Sequence, residues 1–295
     1  MQIMAKPLTL EHQDFRLSLR PDLGGCVAGF WLGDLPIFRS SPAEQLTSVR
    51  QSASYSLAPF SNRIGHARFV WLGTRYELAQ NFLPEPHAIH GVAWQRAWQV
   101  LAAGPAHAKL GYQHTPDASW PFAFDCEQQL ELTDRGLTMA LWITNRHWAE
   151  APVGGGWHPY FVKRPGSHIR FSAQARWDMS ADKLPTERKP VSGLDTACAD
   201  LDIDHCFDQW TGNVNLHDEL LHIRIASKLD HLVVYTKPDK DFIAIEPVSH
   251  VNNAINMPFD ASNSGLAVLQ PGQSWSAQMT IDVARTGSTI GNPSP

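Results

Sequence analysis

Two short stretches carry side chains able to move protons. In Gly154 to Phe161, GGGWHPYF, three glycines free the backbone and His158 then sits between bulky aromatics, just before Pro159. Proline locks its own φ and pushes the preceding residue toward extended geometry, so this imidazole is held in a narrow backbone range. With an ordinary pKa of about 6.5 it can give or take a proton near neutrality. The second stretch is Phe242 to Pro247, FIAIEP, where Glu246 ends an apolar run and is followed by proline. A carboxylate drawn into a core rises in pKa unless it is paired, which suits a general base. The ordinary alternatives are a hydrogen-bonded core histidine and an edge-strand glutamate facing water.

Three more positions stand out, each with an ordinary reading beside the chemical one. Arg63, in Asn62-Arg63-Ile64, is a surface residue or a fixed, always-charged donor to sugar oxygens or developing negative charge. Asp204, in Asp204-His205-Cys206-Phe207, follows a long loop and is either a turn cap or an acceptor of hydrogen bonds. His90 is either a metal ligand or, as preferred here, a hydrogen-bonding histidine, with Gly91 letting the backbone approach closely. His87 and His90 have H-x-x-H spacing, but no helical pattern aligns the rings and no carboxylate completes a set, so a metal is not expected. No G-x-S-x-G elbow or phosphate-cradling loop is present, and no cofactor is expected.

The elements that must position these residues read as strands. Alternating or apolar runs cover Phe15–Arg20, Val27–Leu32, Phe69–Leu72, Arg75–Leu78, Trp98–Leu101, Lys109–His114, Phe122–Thr133 and Leu137–Thr144. Further runs cover Ile169–Ser172, Arg176–Met179, Leu221–Ala226, Leu232–Thr236, Phe242–Glu246, Leu266–Leu269 and Trp275–Val283. Arg39–Ser61, Asn81–Gln95 and Asp182–Asp204 read as long loops. No window carries a 3.6-residue stripe, and no Gly/Ser or Pro-rich linker divides the chain. The pattern predicts an all-β chain, one large antiparallel β-sandwich over residues 1–285 with a polar tail at 286–295. Chemistry in such folds sits on loops and strand ends over a concave sheet face.

Composition narrows the partners. The chain has 295 residues, 43% hydrophobic and 18% charged, with a net charge of −5, which argues against nucleic acid or an anionic membrane surface as partner. No apolar run approaches a membrane span, and the N-terminus lacks the apolar centre of a signal peptide, so a cytoplasmic location is expected. Cys26, Cys126, Cys198 and Cys206 are scattered and read as buried thiols. The 11 tryptophans, taken alone, favour core filling over sugar stacking.

Taken in order, Asn62-Arg63-Ile64, Asn81, His90-Gly91, Asn145…Pro152…GWHPYF, Asp204-His205, Glu246-Pro247 and Leu269-Gln270-Pro271-Gly272 resemble the aldose 1-epimerase (mutarotase) family over about Leu17 to Val283. The resemblance implies a large antiparallel β-supersandwich that interconverts the α and β anomers of a free monosaccharide without a cofactor. It implies Glu246 as general base, His158 as general acid, and Arg63, His90 and Asp204 as substrate-binding residues. Trp157 and Tyr160 are added here as walls of the same pocket. Val162-Lys163 after HPYF, Ala67, and EPVSHVNNAIN around Glu246 depart from the galactose-specific branch. Other readings are a non-catalytic sugar-binding protein on the same fold, a glycosidase using Asp204 and Glu246, and a hexose-6-phosphate 1-epimerase. The last needs a basic cluster, for which Arg63 with Arg68 or Arg75 is the candidate.

Overall fold

The computed structural model describes residues 7–257 and 265–287; of the expected polar tail only Thr286 and Gly287 fall among them. Strands dominate, and among the described residues helices are limited to three-residue 3₁₀ turns such as Val49–Gln51. The alternation expected of half-buried strands is plain in the longest hairpin. Phe124–Thr133 pairs with Gly136–Asn145 from Phe124 opposite Asn145 to Thr133 opposite Gly136, and in both strands every second residue is buried.

Two large sheets carry most of the chain. One has nine strands in the spatial order Gln99–Ala103, His107–His114, Phe124–Thr133, Gly136–Asn145, Ser274–Arg285, Leu221–Ser227, Asn213–His217, His168–Phe171 and Leu194–Ala197. The other runs Pro185–Pro190, Ala175–Met179, Ile203–Asp208, His231–Thr236, Phe242–Val248, Gly156–Trp157 and Ser56–Leu57, with Tyr160–Val162 also paired to Phe242–Val248. A four-stranded meander, from Leu8–His12 to Leu35–Pro36, adds a third sheet. All the strand pairs are antiparallel, as expected for a supersandwich. Phe30 from the meander, Leu130, Leu141 and Met279 from the nine-stranded sheet, and Phe161 and Ile243 from the eight-stranded one meet in one apolar cluster. The fold's stability comes chiefly from that shared burial.

The expected loop at Asp182–Asp204 is where the structure departs most from the sequence reading. It holds two strands, Pro185–Pro190 and Leu194–Ala197, and Asp204 lies inside the strand Ile203–Asp208. Pro185–Pro190 has no apolar alternation because it is an edge strand with both faces largely wet, and proline is tolerated at such an edge. Leu8–His12 and Asn213–His217 are further strands without a sequence expectation. The four cysteines are buried and free, as expected.

The segment that carries His90 depends on a glycine. Gly91 has φ of +70°, and a Cβ there would lie 2.0 Å from the carbonyl oxygen of Ala58. Gly73 has a similar φ of +77° but open space around it. Gly73→Ala is therefore expected to cost about 1–2 kcal/mol, the left-handed penalty alone. Gly91→Ala should cost more and shift the urea midpoint further, because backbone has to move. Equal midpoints for the two variants would contradict this account.

Candidate active site

Strand register brings the two motifs together. Gly156 pairs with Val248, and Tyr160 with Ala244, on either side of a break in the ladder at His158-Pro159. The register is the same before and after the break, so His158 falls opposite Glu246. On the other side of Glu246 lies Val233, then Cys206; in the neighbouring row Tyr160, Ala244, Tyr235 and Asp204 follow one another across the sheet. Residues two apart share a face. His158, Glu246, Tyr160, Tyr235 and Asp204 thus project from one side of the sheet into one cavity of about 390 Å³.

The same alternation excludes Trp157. It was expected as a wall, but it points to the opposite face from His158, is fully buried, and does not line the cavity. Tyr160 does line it, as expected.

Arg63 and His90 reach the cavity from a separate small ribbon in which Arg63 pairs with Ile89. Arg63 is clamped by Glu85 through two parallel bonds, Nε to Oε2 at 2.7 Å and Nη2 to Oε1 at 2.8 Å, and it donates from Nη1 to the Asn62 side chain at 3.0 Å. That clamp holds the Glu85 carboxyl below the usual carboxylate range. His90 accepts the Asn62 backbone N–H on Nδ1 at 3.2 Å, and burial keeps the ring neutral by lowering its pKa well below the ordinary value. A neutral ring with an accepting Nδ1 carries its proton on Nε2 and presents a donor. Asp204 is met by the Lys183 ammonium at 3.0 Å.

At the centre, His158 Nε2 lies 3.2 Å from Glu246 Oε1 and 3.5 Å from the Tyr160 hydroxyl. His158 and Glu246 are both buried. Burial raises the Glu246 pKa well above its ordinary value, with Asp204 adding to the rise and Arg63 opposing it. Burial also lowers His158 to about 3, assisted by the nearby Arg39 cation. Both shifts favour the uncharged pair, a carboxylic acid donating to Nε2 of a neutral imidazole. The imidazole proton then resides on Nδ1, which has no hydrogen-bond partner on another of the described residues. An unsatisfied buried N–H typically costs about 1–3 kcal/mol, and such groups concentrate at working sites.

All five residues singled out from sequence, Glu246, His158, Arg63, His90 and Asp204, therefore line one cavity. His87 does not join them. Its Nδ1 accepts from the His66 backbone and its Nε2 meets the Asp182 carbonyl at 2.9 Å each, a structural role that accounts for both ring nitrogens. Asn81 likewise ties the segment together, through bonds to Ile89 and Gly91. Arg68 and Arg75 sit on an exposed hairpin away from the cavity, so neither joins Arg63 in the candidate phosphate-gripping cluster. Arg39, Tyr55 and Glu85 were not anticipated as lining residues. They come from aperiodic segments, and nothing short of long-range pairing reveals where they fold.

The sequence profile of the aldose 1-epimerase family matches residues 6–282. A relative from Escherichia coli K12, the uncharacterized protein YphB, is 28% identical over 292 residues, covering 93% of this chain and 98% of that protein. Among solved structures, a candidate aldose 1-epimerase from Escherichia coli K12 superposes with a TM-score of 0.86 at 26% identity, covering 95% of this chain and 99% of that one. A galactose mutarotase-like protein from Clostridium acetobutylicum, at 21% identity, shares the fold with a TM-score of 0.82 and 95% of each chain covered. With a profile match that runs nearly end to end on a fold of this kind, the chain belongs to the aldose 1-epimerase family.

Proposed function

We propose that the protein is a mutarotase that interconverts the α and β anomers of an aldose, with Glu246 as general base and His158 as general acid. The observation that carries this reading is the 3.2 Å contact between the buried Glu246 and His158 side chains in a cavity large enough for a monosaccharide. Mutarotation needs one proton removed and one delivered at adjacent oxygens, and this pair holds an acceptor and a donor side by side.

The proton accounting is closed. A carboxylate at Glu246 takes the proton from the anomeric hydroxyl O1 while imidazolium at His158 delivers one to the ring oxygen O5. The C1–O5 bond breaks as C1=O1 forms. The open aldehyde turns about C1–C2, and the same two transfers run backward onto the other face. The ring-opened stage leaves Glu246 as acid and His158 neutral, the distribution that burial favours. Moving the shared proton from Glu246 to His158 across their 3.2 Å contact, as a sugar enters, arms the pair for ring opening without any exchange with bulk solvent. Arg63 and the Nε2–H of His90 supply fixed donors for oxygens that gain charge, and Asp204 accepts from sugar hydroxyls.

Two outcomes are expected. Glu246→Gln and His158→Asn should each lower kcat for anomer exchange by about 10²–10⁴-fold, followed by polarimetry or exchange NMR, with the melting temperature little changed. Undiminished exchange in either variant would remove its residue from the chemistry. The second concerns pH. The pair is active with one proton, gains a second only as pH falls toward the lowered His158 value of about 3, and loses the last only above the raised Glu246 value. The kcat/KM profile, corrected for buffer catalysis, should thus place its acid limb near the lowered His158 value of about 3, well below the ordinary histidine range of about 6.5, and its alkaline limb above the ordinary carboxylate range. An acid limb near about 6.5, with activity rising as pH rises through it, contradicts the neutral resting pair.

A further inference from the structure

The carboxylates of the cavity are all engaged: Glu85 with Arg63, Asp204 with Lys183, and Glu246 with His158. Three further cations line the same cavity, Arg39, Arg50 and Lys237, and among the described residues none of them has a carboxylate within 4.0 Å. In a chain of net charge −5 this is a local reversal of sign.

Arg39 is the informative member. It is half-buried, its Nη2 donates to the carbonyls of Ser52 at 2.8 Å and Arg50 at 3.2 Å, and its guanidinium carbon lies 4.1 Å from the Tyr160 ring centre and 4.8 Å from that of Phe242. A guanidinium withdrawn from water and fixed against two rings gives up hydration with no ionic partner in return. The adjacent Arg50 is stacked 4.0 Å above Phe82, another lining residue. Planar guanidinium groups held in this way suit the paired oxygens of phosphate, sulfonate or carboxylate better than isolated hydroxyls.

We propose that the sugar taken by this site carries an anionic substituent, received by Arg39, Arg50 and Lys237. This rests on the reading of the cavity as a 1-epimerase site. The anion sits away from C1, because the anomeric hydroxyl has to be free for the ring to open. Arg68 and Arg75 play no part, and Arg63 keeps its carboxylate partner Glu85.

The test compares each neutral aldose with its charged counterpart, for example glucose with glucose 6-phosphate, a 6-sulfonate and glucuronate, by exchange NMR and by titration calorimetry on the full chain. In the wild type, the charged member should be favoured about tenfold or more in kcat/KM and in affinity, with the advantage shrinking between low and high salt. In Arg50→Gln/Lys237→Gln, whose two positions are exposed, that ratio should fall toward one, with melting curves checking the fold. Whichever anion gives the highest ratio identifies the group. Parity between charged and neutral sugars in the wild type, or a ratio unmoved by the double substitution, overturns the proposal. Anomer exchange that proceeds without charge preference leaves the epimerase reading standing and removes this one. Charge-selective binding without catalysed exchange does the reverse.

Discussion

A single register does the organising. The strand Phe242–Val248 is paired on one flank by His231–Thr236 and on the other by two short strands that interrupt each other at His158-Pro159. Because the pairing resumes in phase after the interruption, an imidazole and a carboxylate from segments almost ninety residues apart meet face to face. A slip of one residue on either side would send one of the two to the opposite face, where Trp157 and Ile245 lie in the apolar core. Proline after each catalytic candidate removes an N–H that the ladder would otherwise use. Pro159 still accepts at its carbonyl, from Ile245 at 3.4 Å, so the break is local.

Around that pair, polar groups are arranged before any sugar arrives. Glu85 aims Arg63, Asn62 sets the His90 tautomer, and Lys183 holds Asp204. Tyr55 packs 5.0 Å from the His158 ring and stacks on Trp94 at 5.3 Å, giving the imidazole an aromatic floor. Dipoles fixed in this manner need little reorientation when charge shifts in the substrate, which is how buried sites favour a transition state over a ground state. The dry surroundings that raise Glu246 and lower His158 also strengthen every one of these interactions.

Much of this was legible in the chain and some was not, for physical reasons. Period-two runs located most strands, since half-buried strands write their environment into alternate residues. Pro185–Pro190 wrote nothing, because an edge strand wet on both faces has no apolar side to show. His158 and Glu246 were visible because prolines and glycines mark breaks in strands, and such breaks are where polar side chains can turn inward. Arg63, His90 and Asp204 stand out in the sequence chiefly through the family resemblance. Their convergence depends on pairing between distant segments, and so do the positions of Arg39, Tyr55 and Glu85, which no local pattern announced. Trp157 was misplaced for a simpler reason: alternation from His158 puts it on the far face.

The prolines that bracket Pro185–Pro190 have a consequence beyond the pocket. This strand is the outer margin of the eight-stranded sheet, and it carries Glu187, Arg188 and Lys189 between its two prolines. Missing N–H groups and charge of both signs make a poor template for another chain to add to. One margin of the other sheet, Gln99–Ala103, is exposed along its whole length and offers Val100 and Leu101 without proline or charge, its register broken only by a shift between Val100 and Ala102. Under crowding or partial unfolding, intermolecular strand addition is thereby directed to the sheet that bears neither His158 nor Glu246, and the cavity-lining sheet is the better guarded at this margin.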